Sequence, residues 1–240
     1  MPTNSDKEIL PVLDRRFGTW RVSIAREPMT VRQLARTYDE QAACWGAKIR
    51  RLRTGTFYDE IWASVSESLD AASEGRQLNV LDCGIGQGAF SLALAEQFEV
   101  KPHISGIDLS ENMLNEAAET LGREGLSFTL KRADVRRLPF EDSQFDIVAS
   151  AHVIEHLPRP EIVVREMWRV LKPGGRLVLS VTQPSIFGAL LQLNWRARTY
   201  AYGELEQLLI TAGFVRPSKI TVGTWSLAAR MSLVCQAGKL

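Results

Sequence analysis

The eleven residues VLDCGIGQGAF, at positions 80–90, constrain this chain more than any other stretch. An apolar run ends in an acid, three glycines follow at alternate positions, and the next segment has helical spacing. Glycine enters left-handed backbone without steric cost. Such a repeat therefore marks a tight strand-to-helix turn whose amides can close on a ligand. The segment Gly84–Ala89 also satisfies G-x-G-x-x-G/A. By themselves, then, the glycines leave open a dinucleotide, another nucleoside, or a turn required only for packing.

Asp82 separates the ligands. A pyrophosphate at a helix N-terminus is anionic, and a carboxylate two residues before the first glycine repels it. A ligand bearing an ammonium group gains from the same carboxylate. S-adenosylmethionine (SAM) carries that ammonium and a cationic sulfonium, and no phosphate. Asp108, in SGIDLS, ends the next apolar run twenty positions after Gly88. An acid there accepts both ribose hydroxyls, in SAM and in NAD sites alike, or serves only as an acid ahead of the following helix. Asp134, in KRADVRRLPF, follows a third run. Its carboxylate suits the adenine amino group, with the Val135 amide on a ring nitrogen, or an Asx-type turn.

Around these motifs the chain alternates. Strands are expected at Asn79–Asp82, His103–Asp108, Ser127–Lys131, Phe145–Ser150 and Arg176–Val181, and helices at Gln87–Phe98, Glu111–Leu121, Pro160–Leu171 and Gly203–Ala212. Strand–helix alternation at this spacing gives a parallel sheet covered on both faces. Lys219–Val222 and Met231–Ala237 have no helix-length insert between them, so a hairpin with one antiparallel strand is expected. Upstream, residues 1–28 are polar with weak periodicity and read as an arm. From Thr30 the apolar positions Val31, Leu34, Tyr38, Trp45, Ile49 and Leu52 form one helical face that Gly55 stops. Phe57, Ile61, Val65 and Leu69 form another, ending near Gly75. The expected division is an arm and helical cap over 1–75 and a nucleoside-binding domain over 76–240, with an insert at about 183–202.

Composition excludes little. The 29 Lys+Arg against 28 Asp+Glu leave a net charge of +1 and no electrostatic argument for nucleic acid. Cys44, Cys83 and Cys235 are far apart, so neither a disulfide framework nor a metal site is indicated. No apolar run approaches the ~20 residues of a membrane span. The start of the chain lacks a secretory pattern, so a cytoplasmic location is expected. Residues 26–53 hold seven Lys+Arg and three Asp+Glu, a solvated face or a surface for anionic lipid, so peripheral membrane contact stays open.

Taken together and in this order, VLDCGIGQG, GIDLS, ADVRRLPF, FDIVASAHVIEHL and LKPGGRLVLS resemble the class I SAM-dependent methyltransferases. The nearest likeness is to the small-molecule group that includes the ubiquinone and menaquinone enzymes. The resemblance implies a doubly wound, Rossmann-like α/β sheet of seven strands, mostly parallel, with the last strand antiparallel. It implies SAM as cofactor. Asp82 and Gly84 would approach its methionine portion, Gly86 and Gly88 would also bind the cofactor, Asp108 would hold the ribose, Leu109 and Met113 would line the adenine or ribose side, and Asp134 with Val135 would bind the adenine. Ala151, between Ser150 and His152, would flank the methyl group, and Tyr38 would reach the methionine carboxylate.

Methyl transfer from a sulfonium is an in-line displacement, so positioning supplies most of the catalysis and no metal is required. A base matters where the acceptor loses a proton. His152 and His156, in AHVIEHL, are the candidates, His156 with a competing role in the cofactor shell. Glu155 is expected to face away and to cap or pair. In the 183–202 insert, Phe187 and Trp195 offer apolar surface for a lipophilic or aromatic small-molecule acceptor, or pack onto the sheet edge. A phospholipid methyltransferase, an NAD(P)-dependent oxidoreductase and a non-catalytic SAM-binding partner protein are the alternatives. The oligomeric state is not legible.

Overall fold

The computed structural model describes residues 10–26, 30, 33, 36, 37, 39, 54–73, 75–185, 198–223 and 226–240. Seven strands form one sheet: β3 (Asn79–Cys83), β4 (His103–Asp108), β5 (Phe128–Arg132), β6 (Phe145–Ala151), β7 (Leu171–Thr182), β8 (Val215–Ile220) and β9 (Ser232–Gly238). Their spatial order is β5-β4-β3-β6-β7-β9-β8. The pairs from β5 through β7 are parallel, and β9 runs antiparallel to both β7 and β8. Strand β9 thus lies between β7 and β8 and is antiparallel to both.

Side-chain alternation along the strands builds two cores, one on each face. Val80, Ile104, Ile147, Val178 and Val234 pack with α1 (Thr54–Ser73), α2 (Ala89–Glu96) and α3 (Glu111–Arg123). Leu81, Ile107, Val148, Leu177 and Leu179 point the other way, onto α4 (Pro160–Val170) and α5 (Tyr202–Ala212). Neighbouring residues such as Leu177 and Val178 fall in opposite cores, the period-2 signature of a sheet buried on both sides. On α1, the expected face of Phe57, Ile61, Val65 and Leu69 is buried, and Trp62 donates its indole N–H to the Phe90 carbonyl at 3.0 Å. This helix shares its core with the sheet.

The structure corrects four local readings. Residues Leu10–Phe17 and Trp20–Arg26 form an antiparallel hairpin, β1 and β2, where weak periodicity suggested an arm. Gly18, at φ 61°, supplies the left-handed residue of the two-residue turn. Gly55 lies inside the first turn of α1 and stops nothing. Strand β7 begins at Leu171, ahead of the KPGG turn, because a register shift against β6 absorbs the extra residues. The first strand of the terminal hairpin is Val215–Ile220, and a five-residue helix, α6 (Leu227–Met231), leads into β9. Gln33, Arg36, Thr37 and Asp39 are helical, and most of the 31–52 face lies outside the described residues.

Candidate active site

The strand order reverses at β3, whose neighbours are β4 on one side and β6 on the other. Open α/β sheets bind ligands outside the carboxyl ends of strands at such a switch point. Here those ends carry Asp82, Asp108, Ala151 and His152.

Gly84, Gly86 and Gly88 have φ of 78°, 53° and 83°. They do different work. A Cβ on Gly84 would stand 2.4 Å from Val153 Cγ2, so packing forbids one, whereas a Cβ on Gly86 would meet nothing within 4 Å. Gly88 is the N-cap of α2 and turns the chain into the helix. The half-buried Gly86, with open space on its Cβ side, is the part of the loop that can lie against a ligand. Behind the loop, Gly106 of β4 is equally constrained, since a Cβ there would be 2.4 Å from Ile85 Cδ1 and 2.7 Å from Leu130 Cδ2.

Asp82 is 1% exposed. Its Oδ2 accepts a 2.6 Å hydrogen bond from Ser91 Oγ, and its Oδ1 is buried with no partner among the described residues. Burial pushes its carboxyl up to about 7, with the Ser91 bond opposing and the charge of Asp108 adding to the rise. A buried carboxylate oxygen without a donor is costly unless a ligand supplies one. Asp108 accepts from Gly86 N at 3.0 Å through Oδ2 and from Ser110 N at 2.9 Å through Oδ1. Burial raises its carboxyl, three backbone donors pull it back, and the charge of Asp39 raises it further. Asp39 is tied in through Ser110 Oγ, which donates to its Oδ1, and through Asn112 Nδ2, which donates to its carbonyl at 3.3 Å. Three carboxylates at one mouth make it a poor seat for a pyrophosphate and a good one for a cation.

Asp134 is already engaged. Arg136 donates to it from its amide at 2.9 Å and from its guanidinium at 2.7–3.1 Å. Burial would raise this carboxyl, and the Arg136 bonds outweigh that and hold it below the ordinary range. This is the turn role weighed for Asp134 from sequence. The Val135 side chain is buried in the core, as is that of Met113, whose amide donates to the N-cap hydroxyl of Ser110 at 3.1 Å. Leu109 accepts from Arg132 Nε at 3.0 Å. Ala151 ends β6, beside Ser150, whose hydroxyl donates to the Cys83 carbonyl at 2.8 Å.

His152 occupies left-handed backbone, φ 57°, and its amide donates to the Ser180 carbonyl at 2.8 Å. Its Nδ1 lies 3.0 Å from Glu155 Oε1, and its Nε2 lies 3.2 Å from Ser232 Oγ. Glu155 is fully buried and turned inward, a correction to the outward-facing residue expected. Its Oε1 also accepts from Thr182 N at 3.1 Å and Thr182 Oγ1 at 2.8 Å, and those donors draw it in. His156 sits in the single turn Ile154–His156, close enough for its charge to act on Glu155. His103 is bonded to Ser127 and Thr129 at the start of β4. Tyr38, Phe187 and Trp195 lie outside the described residues, as does most of the 183–202 insert. An open groove lined by Lys131, Arg137, Phe140 and Gln144 shares no residue with this site.

Sequence reasoning missed Ser91, Ser110, Asp39, Thr182 and Ser232. Of these only Ser110 carried a local signal, as a serine directly ahead of a helical run.

A model of the methyltransferase domain family, Methyltransf_11, matches residues 81–179. The demethylmenaquinone methyltransferase of Listeria welshimeri is 38% identical over 112 residues, 46% of this chain and 48% of that protein. The ubiquinone/menaquinone biosynthesis C-methyltransferase UbiE of Azotobacter vinelandii is 32% identical over 154 residues, 63% of this chain and 59% of that protein. The chain thus spans about half the length of the curated relatives it matches. Among solved structures, a possible histamine N-methyltransferase from Thermotoga maritima aligns with TM-score 0.58 at 18% identity, covering 85% of this chain and 98% of that one. The 4+2 cyclase SpnF aligns with TM-score 0.60 at 19% identity, covering 88% and 97%. These likenesses establish the fold, and the cyclase shows that the fold hosts more than one chemistry.

Proposed function

We propose that this chain is a class I SAM-dependent methyltransferase that moves the SAM methyl group to a small lipophilic acceptor of the quinol type; the methyltransferase-domain match over residues 81–179 and the quinone-biosynthesis relatives support that reading. The observation that carries the cofactor half is the buried, unpartnered Oδ1 of Asp82 at the mouth of a left-handed glycine loop. An ammonium group fits it, and a phosphate does not.

Asp82 would hold the ammonium, the Gly86 backbone would lie along the ligand, and Asp108 would accept from the ribose while Gly86 N and Ser110 N keep it oriented. Leu109, Met113 and Val135 would border the nucleoside, with Asp134 shaping the adenine turn through Arg136. Tyr38 would close over the methionine portion. SAM, when bound, supplies an electrophilic methyl on a sulfonium. The chain's part is to hold the acceptor in line with it at the carboxyl ends of β3 and β6, beside Ala151, and to keep water out. Phe187 and Trp195 would cover the acceptor, with His152 the base and His156 in the cofactor shell.

The acceptor half rests on relatives whose names specify demethylmenaquinone and ubiquinone/menaquinone biosynthesis. Incubating the purified chain with methyl-labelled SAM and reduced demethylmenaquinone should yield label in an organic-extractable product. SAM binding without transfer to any quinol or phenol would overturn the acceptor assignment.

A further inference from the structure

We propose that Glu155 and Ser232 wire His152 as a proton acceptor, and that the methyl acceptor therefore carries an ionisable hydroxyl. The inference rests on the methyl-transfer reading above.

The wiring follows from what each atom can do. The Thr182 amide can only donate, and Glu155 Oε1 receives it at 3.1 Å together with the Thr182 hydroxyl at 2.8 Å and His152 Nδ1 at 3.0 Å. A carboxylate oxygen accepts, so Nδ1 must carry the hydrogen. In the neutral ring Nε2 then holds a lone pair, and Ser232 Oγ, 3.2 Å away, is its donor. The groups about Glu155 are His152 and His156 from its own connection, Tyr58 from α1, and Tyr200 ahead of α5. Arg198 donates its amide to the Glu155 carbonyl at 2.7 Å. Burial would raise the Glu155 carboxyl, but the His152 hydrogen bond and the two histidine charges hold it below the ordinary range. Its Oε1, which already receives three hydrogen bonds, is placed to stabilise an imidazolium.

Two further features fit a built device. A non-glycine residue held in left-handed backbone is strained, and such residues cluster at functional sites. The 2.8 Å bond from the His152 amide to Ser180 fixes it there, at the end of β6 next to the switch point. Second, Ser232 pairs with Thr182 across β7 and β9, so the hydroxyl that meets Nε2 and the hydroxyl that holds Glu155 come from one register position of the sheet.

In the step this wiring supports, the acceptor O–H bond breaks and its electron pair stays on the acceptor oxygen. The proton passes to Ser232 Oγ as the Ser232 proton passes to His152 Nε2. The products are an acceptor anion and an imidazolium facing the Glu155 carboxylate. After product leaves, the imidazolium returns its proton to solvent. In a phenol or enol the retained pair also enriches the ring carbon beside the oxygen, so the step serves oxygen or carbon methylation. Glu155 is thus a positioning residue.

The chain has three histidines, so imidazole ¹⁵N spectra resolve them. With SAM binding first verified by calorimetry, His152 at pH 8 should show the Nδ1–H tautomer. Glu155→Gln and Ser232→Ala should each lower kcat with reduced demethylmenaquinone at least tenfold, with the KM for SAM within threefold, in keeping with the ~10²–10⁴ of general-base catalysis. Ser232→Ala removes one uncharged hydroxyl of the network and serves if the Gln variant fails to fold. An Nε2–H tautomer, or wild-type kcat in the folded variants, would overturn the wiring and leave methyl transfer intact. Absence of SAM binding to the unmutated chain would overturn the reading beneath it, and this inference with it.

Discussion

Asp82→Asn probes the site through stability as well as through binding. The Asp82 carboxyl rises from an ordinary 3.8 to about 7, chiefly through burial. A folded-state value above the unfolded one means that the native protein holds a proton the unfolded chain has released. Asp82 therefore contributes stability that is fully present below about pH 4 and lost as pH rises through about 7. Between pH 5 and 8 the loss is about 2.7 kcal/mol, two pH units below the native value at about 1.36 kcal/mol each. Asn cannot ionise. It keeps an oxygen for Ser91 but places an amide where Oδ1 lacks a partner, a cost of about 1–3 kcal/mol that does not vary with pH. Urea unfolding at pH 5 and pH 8, followed by tryptophan fluorescence, should show wild type losing about 2–3 kcal/mol more than the variant over that interval. Calorimetry should show SAM binding to wild type at pH 6 with release of a proton, absent in the variant, because an ammonium favours the ionised acid. Identical pH dependence in the two proteins would refute both the burial argument and the ammonium assignment.

Other changes separate the parts of the site. Asp108→Ala should weaken SAM by roughly 2–4 kcal/mol, since two charge-assisted hydrogen bonds are lost, and affinity within threefold of wild type by calorimetry would displace Asp108 from the ribose. Asp134→Asn should cost SAM affinity less than Asp108→Ala does, because Arg136 already occupies that carboxylate; a larger loss would put Asp134 on the adenine. Gly106→Ala should lower stability by about 1–3 kcal/mol in urea, as its Cβ would enter the space of Ile85 and Leu130, and an unchanged midpoint would mean the loop relaxes freely. Trp195→Ala should raise the acceptor KM several-fold with SAM affinity nearly unchanged. Equal losses in SAM affinity and melting temperature would make Trp195 a packing residue.

The sheet was legible because its strands are apolar runs buried on both faces and bounded by acids and glycines. Asn79–Cys83 and His103–Asp108 fall within a residue of where the pattern puts them. The glycine loop was legible as a turn, but not the division of labour within it. That Gly84 faces Val153 while Gly86 faces open space depends on a residue 69 positions away in the chain. The β1–β2 hairpin was not legible, since Asp14 and the arginines blur its alternation and its turn is Gly-Thr, not a strong hairpin pair. The proton wiring was out of reach for a similar reason. His152 and Glu155 are three apart, but what draws Glu155 inward is Thr182 and what meets Nε2 is Ser232, 27 and 80 residues further along. Periodicity does not report which hydroxyls the strand order of a sheet brings to a histidine.

The central claim is that the carboxylate-lined mouth of this loop holds a cationic methionine nucleoside in preference to a dinucleotide. Titrating SAM, S-adenosylhomocysteine and NADH into the purified chain by calorimetry at pH 7.5 tests it most directly. Saturable binding of both methionine nucleosides and no measurable heat from NADH are expected. Tighter binding of NADH than of either would contradict it.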